Sequence, residues 1–174
     1  MIRFAAGGAA LLLSACAALG PAETPLPALE AVPASFEMSG RIAVRQGQSS
    51  EIAQLRWTRR EGCDVWVIAS PLGNEVARIE SGADGATLVQ GADASEHAAS
   101  FEDLTRRVLG VSLDPAQLAQ ALHGTAPRDV PQGWHFRIDE TQDAGAVRLA
   151  KRITATNGDT VVRLVVDSYR ALAN

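Results

Sequence analysis

Apolar and polar positions alternate with a period of two through much of the chain. The alternation is sharpest where Phe36, Met38, Gly40, Ile42 and Val44 interleave with Glu37, Ser39, Arg41, Ala43 and Arg45. A period of two predicts a strand with one apolar face. After the loop Gln46-Gly47-Gln48-Ser49-Ser50, residues 52–58 return with Ala53, Leu55 and Trp57 on one face against Gln54, Arg56 and Thr58, which completes a hairpin. Residues 65–70 are apolar on both faces. Pro71-Leu72-Gly73-Asn74 then turns the chain into 75–80, and the Gly-rich run 81–85 leads into 86–90. Five short strands with turn signals at nearly regular spacing point to an antiparallel meander.

The period then changes. Ser100 and Asp103 form a capping-box pattern ahead of Phe101, Leu104, Val108 and Leu109 at helical spacing, and Gly110 stops the helix. Asp114 as cap, Pro115 at the first helical position, and Leu118, Ala121 and Leu122 mark a second short helix that ends at Gly124. Strands resume with Trp134, Phe136 and Ile138 alternating with His135, Arg137 and Asp139. Weaker signals follow at 147–149 and 152–156, and Asn157-Gly158 turns the chain into 160–168. Strands, two helices, then strands imply an α+β fold: one curved antiparallel sheet forming an open half β-barrel, with the helices covering its concave face. Alternation alone leaves two readings of that face. Its apolar residues are plain core, or they surround a cavity that the helices only partly fill.

Ahead of the strands, Arg3 precedes an apolar run that closes at Leu13-Ser14-Ala15-Cys16, the order of a bacterial lipoprotein signal. Residues 1–15 therefore read as a leader, with Cys16 as the lipid-attachment residue of the mature protein. The run is too short to serve as a permanent span of about 30 Å of hydrocarbon. Residues 16–35 are rich in Pro and Ala and read as a semi-rigid tether, and 36–174 as one folded domain. Without the leader 159 residues remain, and because the leader carries one arginine and no acid, the formal charge becomes −5. That balance argues against a nucleic-acid partner. Once Cys16 carries lipid, Cys63 is the remaining cysteine and reads as a small core residue. His97, His123 and His135 lie in separate segments, and neither a Gly-x-Ser-x-Gly elbow nor a phosphate-binding glycine loop occurs. No enzyme, cofactor or metal is expected.

Several short motifs in order resemble the LolB family of outer-membrane lipoprotein receptors: Gly40-Arg41-Ile42-Ala43-Val44-Arg45, Leu55-Arg56-Trp57, Pro71-Leu72-Gly73, Leu104 with Leu109-Gly110-Val111, Leu122-His123-Gly124, the Trp134 strand and Arg163-Leu164-Val165-Val166. The resemblance implies a hydrophobic cavity for lipoprotein acyl chains, receipt of lipoproteins from the soluble carrier LolA, and delivery to the inner leaflet of the outer membrane. Together with the alternation it assigns Ile42, Val44, Leu55, Trp57, Val67, Trp134, Phe136 and Leu164 to the cavity, and Pro71, Leu72 and Gly73 to a loop that enters the membrane. Ala17, standing where Asp would signal inner-membrane retention, implies the periplasmic face of the outer membrane. A monomer is expected. The chain departs from the family in three places: Pro21, Pro25, Pro27 and Pro33 argue against a long helix before the first strand, and Ala121 and Tyr169 stand where the family often has tryptophan. A structural lipoprotein that uses its sheet to bind a protein partner is the alternative.

Because the tether separates anchor from body, Cys16→Ala should abolish lipidation yet leave the domain folded and able to take up acyl chains. Mass spectrometry and a fluorescent fatty-acid titration check this, and a folded variant that binds no probe would contradict it.

Overall fold

Nine strands pair edge to edge into a single antiparallel sheet in the order β6-β5-β4-β3-β2-β1-β9-β8-β7. The computed structural model describes residues 33–82, 84–91, 94–125, 127, 133–144 and 147–173. The leader, Cys16 and the tether up to residue 32 lie outside the described residues. The first half is a meander: β1 (Phe36–Gln46), β2 (Ser49–Arg60), β3 (Cys63–Ala69), β4 (Glu75–Gly82), β5 (Gly85–Gln90) and β6 (Ala94–Ala98). Helices α1 (Phe101–Leu109) and α2 (Pro115–Leu122) follow. A second meander of β7 (His135–Ala144), β8 (Val147–Asn157) and β9 (Thr160–Ala171) then brings β9 alongside β1. The outer strands β6 and β7 are not paired with each other, so the barrel stays open, as the order of strands and helices along the chain implies.

Where the fold departs from the sequence reading, the reasons are local. β6 has no apolar alternation to announce it. It is a short edge strand carrying Glu96, and charge and shortness protect such an edge against further pairing. β8 is one continuous strand, held across its polar stretch by Arg148 to Asp143 at 3.0 Å, Lys151 to Glu140 at 3.1 Å and Arg152 to Glu140 at 3.2 Å. Asn157 pairs with Thr160, so the turn residues are Gly158 and Asp159, with Gly158 at φ 54°. The β2–β3 turn uses Glu61 and Gly62, both at positive φ as a type I′ hairpin requires, and leaves Cys63 exposed rather than in the core.

β1 is the spine, paired along its length with β2 on one side and β9 on the other. Register with β9 shifts between Ser39 and Gly40, where a Cβ on Gly40 would stand 2.1 Å from the Val165 carbonyl oxygen. Such a bulge adds local bend and twist.

The capping signals act as read. The Ser100 hydroxyl accepts from the Asp103 amide at 3.2 Å, Gly110 leaves α1 at φ 71°, and the Asp114 carboxylate accepts from the Ala116 amide at 2.7 Å with Pro115 opening α2. Buried Thr105 joins the two helices, its hydroxyl donating to the Glu102 carbonyl and accepting from the Leu113 amide, each at 3.0 Å. Phe101 and Leu104 of α1, and Leu118 and Leu122 of α2, descend onto the inward residues of the sheet: Phe36, Met38, Leu55, Trp57, Trp66, Ile79, Ile153 and Leu164. Phe36 lies at the centre, with ring centroids 4.9 Å from Trp57, 5.2 Å from His123 and 5.7 Å from Tyr169.

Phe36→Ala removes the ring that joins β1, β2, β9 and the end of α2. It should cost about 3–5 kcal/mol of stability, read from urea unfolding of the full chain. A loss below 1 kcal/mol would show that the site collapses around the gap or that the ring cluster is not structurally central.

Candidate functional site

Two different environments share the concave face. Under α2 it is closed and polar at its centre. The Asp64 carboxylate, brought inward by the Glu61-Gly62 turn, accepts from Trp57 Nε1 at 2.6 Å and from Arg59 Nη2 at 2.8 Å, and its backbone amide donates to Ser81 Oγ at 2.6 Å. The Arg59 guanidinium also lies 5.9 Å from the Trp57 ring centre. Burial pushes the Asp64 carboxyl up, while Arg59 and Trp57 pull it back down. A paired buried charge of this kind is costly to break, because either partner left alone is an uncompensated ion. Beside it, His123 Nδ1 donates to the Ala119 carbonyl at 2.7 Å, which leaves Nε2 to accept from the Tyr169 hydroxyl at 2.8 Å. That contact fastens the end of α2 to β9.

At the other end the face is open and apolar. A cavity of about 360 Å³ lies between the ends of β1 to β4 and the last turn of α1, lined by Ile42, Val44, Ala53, Ile68, Val108 and Leu109 and reaching Ser70 and Pro71. Ser70 Oγ is buried in this lining with no protein partner. The cavity's edge carries Ile52 and Val76, 59% and 47% exposed, and the adjoining loop carries Leu72 at 90%. The loop is braced at its base: the Gly73 amide donates to the Ser70 carbonyl at 2.8 Å, and Gln54 Nε2 donates to the Pro71 carbonyl at 3.0 Å. Leu72 is therefore held outward on a short rigid turn, not folded back as a plug.

The residues assigned to a cavity from the sequence are distributed among four places. Ile42 and Val44 line the 360 Å³ cavity. Trp134 and Phe136 line a separate space of about 130 Å³ against Leu113 and Leu118. Leu55, Trp57 and Leu164 are fully packed beneath the helices and belong to the core. Val67 faces the other way. Trp57 pairs with Trp66 and Arg56 with Val67, so Val67 lies on the convex face, 7% exposed between Arg56 and Arg78; long arginine stems readily cover an apolar neighbour. Sequence reading does not assign Ala53, Ile68, Val108 and Leu109 to the cavity. A strand apolar on both faces gives no sign of which side is inward, whereas Ala53, Val108 and Leu109 have the right periodicity, which does not separate cavity lining from core.

An open antiparallel sheet whose concave face is roofed by two helices and left apolar at one end defines a half-barrel that can enclose a hydrophobic ligand. The architecture recurs in the crystal structure of a DUF1329 family protein from Desulfovibrio piger, at a TM-score of 0.55 and 5% identity over 80% of this chain and 86% of that one, a likeness of fold alone. The family model described as outer membrane lipoprotein LolB matches residues 34–169. Proteins named outer-membrane lipoprotein LolB are similar over nearly the whole chain. The one from Chromobacterium violaceum is 32% identical, covering 92% of this chain and 94% of its own, and the one from Azoarcus sp. is 28% identical, covering 94% and 92%. The chain belongs to the LolB family of outer-membrane lipoproteins.

Burial, with a smaller contribution from the Arg59 charge, holds the His123 imidazole below the usual histidine range, against the pull of the Ala119 carbonyl. In the unfolded chain the ring titrates near 6.5. As pH falls through that value the unfolded chain is protonated first, so stability is lost, approaching about 1.4 kcal/mol per pH unit from this group. His123→Gln should flatten the decline of unfolding free energy between pH 7.5 and 5.5. Parallel curves for the two proteins would show that His123 titrates alike in both states.

Proposed function

We propose that this protein receives lipoprotein acyl chains from the soluble carrier LolA and passes them into the inner leaflet of the outer membrane. The observation that carries the reading is the apolar cavity opening beside the outward-held Leu72. Exposing even ten methylenes to water on the way would cost about 8 kcal/mol, so transfer requires a continuous apolar route. A cavity of about 360 Å³ is at the small end of ligand pockets, which span roughly 300–1,000 Å³. It suits part of one chain, with the ester end near Ser70 Oγ as hydrogen-bond donor. A whole lipid moiety needs the 360 and 130 Å³ spaces joined. Lifting α1 and α2 off the sheet would join them, and such opening breaks the His123–Tyr169 bond, the bond from Gln46 Nε2 to the Gly110 carbonyl and the Arg107–Glu96 ion pair. No chemical energy is needed: a free-energy drop of about 1.4 kcal/mol at each hand-over gives a tenfold bias. Cys16, lipid-modified, keeps the receptor at the membrane to which it delivers.

Leucine burial contributes about 1.5–3 kcal/mol, too little to anchor a protein but enough to bias a rigid loop into lipid. Leu72→Glu should therefore leave folding and acceptance of cargo intact and impair release into liposomes. Normal release would remove the loop from the mechanism. Ala53→Phe places a ring in the 360 Å³ cavity and should weaken binding of a fluorescent acyl probe at least tenfold with the fold retained, since a filled pocket cannot also hold the chain. Undiminished affinity would locate the acyl site elsewhere. A wild-type domain that takes up no probe at all would instead fit a scaffold lipoprotein.

A further inference from the structure

The loop that carries Leu72 divides two unlike surfaces. On the concave side Ser70 and Pro71 reach the apolar cavity. On the convex side Gly73 borders a groove of about 400 Å³, whose polar lining is Ser39, Arg41, Gln54, Arg56 and Asp167 and whose apolar lining includes Val67 and Ala69. Its charges come from three strands in register: Arg41 pairs with Gln54 of β2, Arg56 stands opposite Ser39 of β1, and Asp167 occupies the bulge of β9. Arg41 Nη2 and Nε donate to the two carboxylate oxygens of Asp167 at 3.1 and 3.3 Å. This fixes the carboxylate while using two of its roughly four acceptor positions. Arg56, exposed, has neither an acid nor a hydrogen-bond acceptor among the described residues. The groove therefore offers an unused cation beside an oriented carboxylate with acceptor capacity to spare. Gln54, on its wall, also donates to the Pro71 carbonyl, which ties the groove to the base of the loop.

We propose that this groove holds the headgroup of a zwitterionic phospholipid with a primary ammonium, its phosphate on Arg56 and its ammonium on Asp167. The inference rests on the reading that the Leu72 loop enters the leaflet. An inserted apolar side chain lies about 5–10 Å deep, which puts the base of its loop, and so the groove, at headgroup level. Charge selects among headgroups. A chain of net charge −4 repels an anionic surface, whereas a headgroup carrying both signs meets a matched pair without that penalty. A primary ammonium has three N–H donors for Asp167, and a trimethylated one has none.

The test is co-sedimentation of the mature chain, residues 16–174 bearing Cys16→Ala and so without leader or lipid, with vesicles of phosphatidylcholine alone, of phosphatidylcholine with equimolar phosphatidylethanolamine, and of phosphatidylcholine with equimolar phosphatidylglycerol. The ethanolamine vesicles should bind about fivefold tighter than phosphatidylcholine alone, the size expected for one partly screened charge contact. Arg56→Gln should erase that preference, which distinguishes the site from a general effect of ethanolamine lipids on bilayer packing. Asp167→Asn frees Arg41 and should turn the preference toward phosphatidylglycerol. Equal binding to all three compositions, or a preference unchanged by Arg56→Gln, overturns the headgroup site alone. A wild-type preference for phosphatidylglycerol overturns it in favour of a plain anion site. Binding to none of the vesicles overturns both this site and the membrane role of Leu72.

Discussion

An antiparallel sheet that curls without closing leaves an apolar inner face that has to be covered, and the way α1 and α2 cover it decides the rest of the molecule. Pro115 starts α2 and Gly110 ends α1, so the helices are short, and each reaches only part of the face. Where Leu104, Leu118 and Leu122 meet Phe36, Trp57 and Trp66, the side chains are almost wholly buried in one core cluster. Beyond Leu109 the cover stops while the strands continue, and the uncovered apolar end becomes the cavity. The site is thus the part of the concave face that the helices leave bare.

The closed half is expensive to build, which argues that it serves more than packing. Asp64 is buried with Trp57 and Arg59 as partners, and replacement of such an ion pair by well-packed apolar groups is often neutral or favourable elsewhere. Here the pair fixes the rotamer of Trp57, against which Phe36 packs, and Phe36 in turn supports His123. The chain of contacts runs from the β2–β3 hairpin to the end of α2. The end of α2 is held to the sheet by the neutral His123–Tyr169 hydrogen bond and by ring contacts, and that bond can be broken at modest cost, since a typical hydrogen bond is worth about 0.5–1.5 kcal/mol net.

The open half brings three chemistries to one loop. Strands β2 and β3 present an apolar cavity on one face and a charged groove on the other, and the turn that closes the β3–β4 hairpin carries a solvent-exposed leucine between them. Such an arrangement follows from the pleat: adjacent residues such as Ala53 and Gln54, or Leu55 and Arg56, necessarily serve opposite faces. A membrane surface has the same order, hydrocarbon beneath a charged layer, so a strand end that separates the two kinds of side chain is matched to it.

The local features were legible in the sequence because they depend on neighbours in the chain. Alternation marked β1 and β2, Ser100 and Asp114 marked the helix starts, Gly110 marked a helix end, and Pro71-Leu72-Gly73 marked an outward turn, each through a physical preference that acts within a few residues. What the chain order could not decide is which face of a strand apolar on both sides is inward. Val67 and Trp66 are equal candidates until pairing with β2 places Trp66 beside Trp57 and Val67 beside Arg56. The same holds for Asp64, whose burial nothing in the chain order announces and which becomes a buried acceptor only when the Glu61-Gly62 turn brings it under Trp57. Whether an inward residue is core or cavity lining was likewise a tertiary outcome. Leu55 and Val44 have the same alternation and the same apolar character, and they differ only because α1 ends between them and solvent in one place and not in the other. Periodicity reports which way a side chain points, while the extent of the helices above it, a contact distant in sequence, decides whether anything stands there.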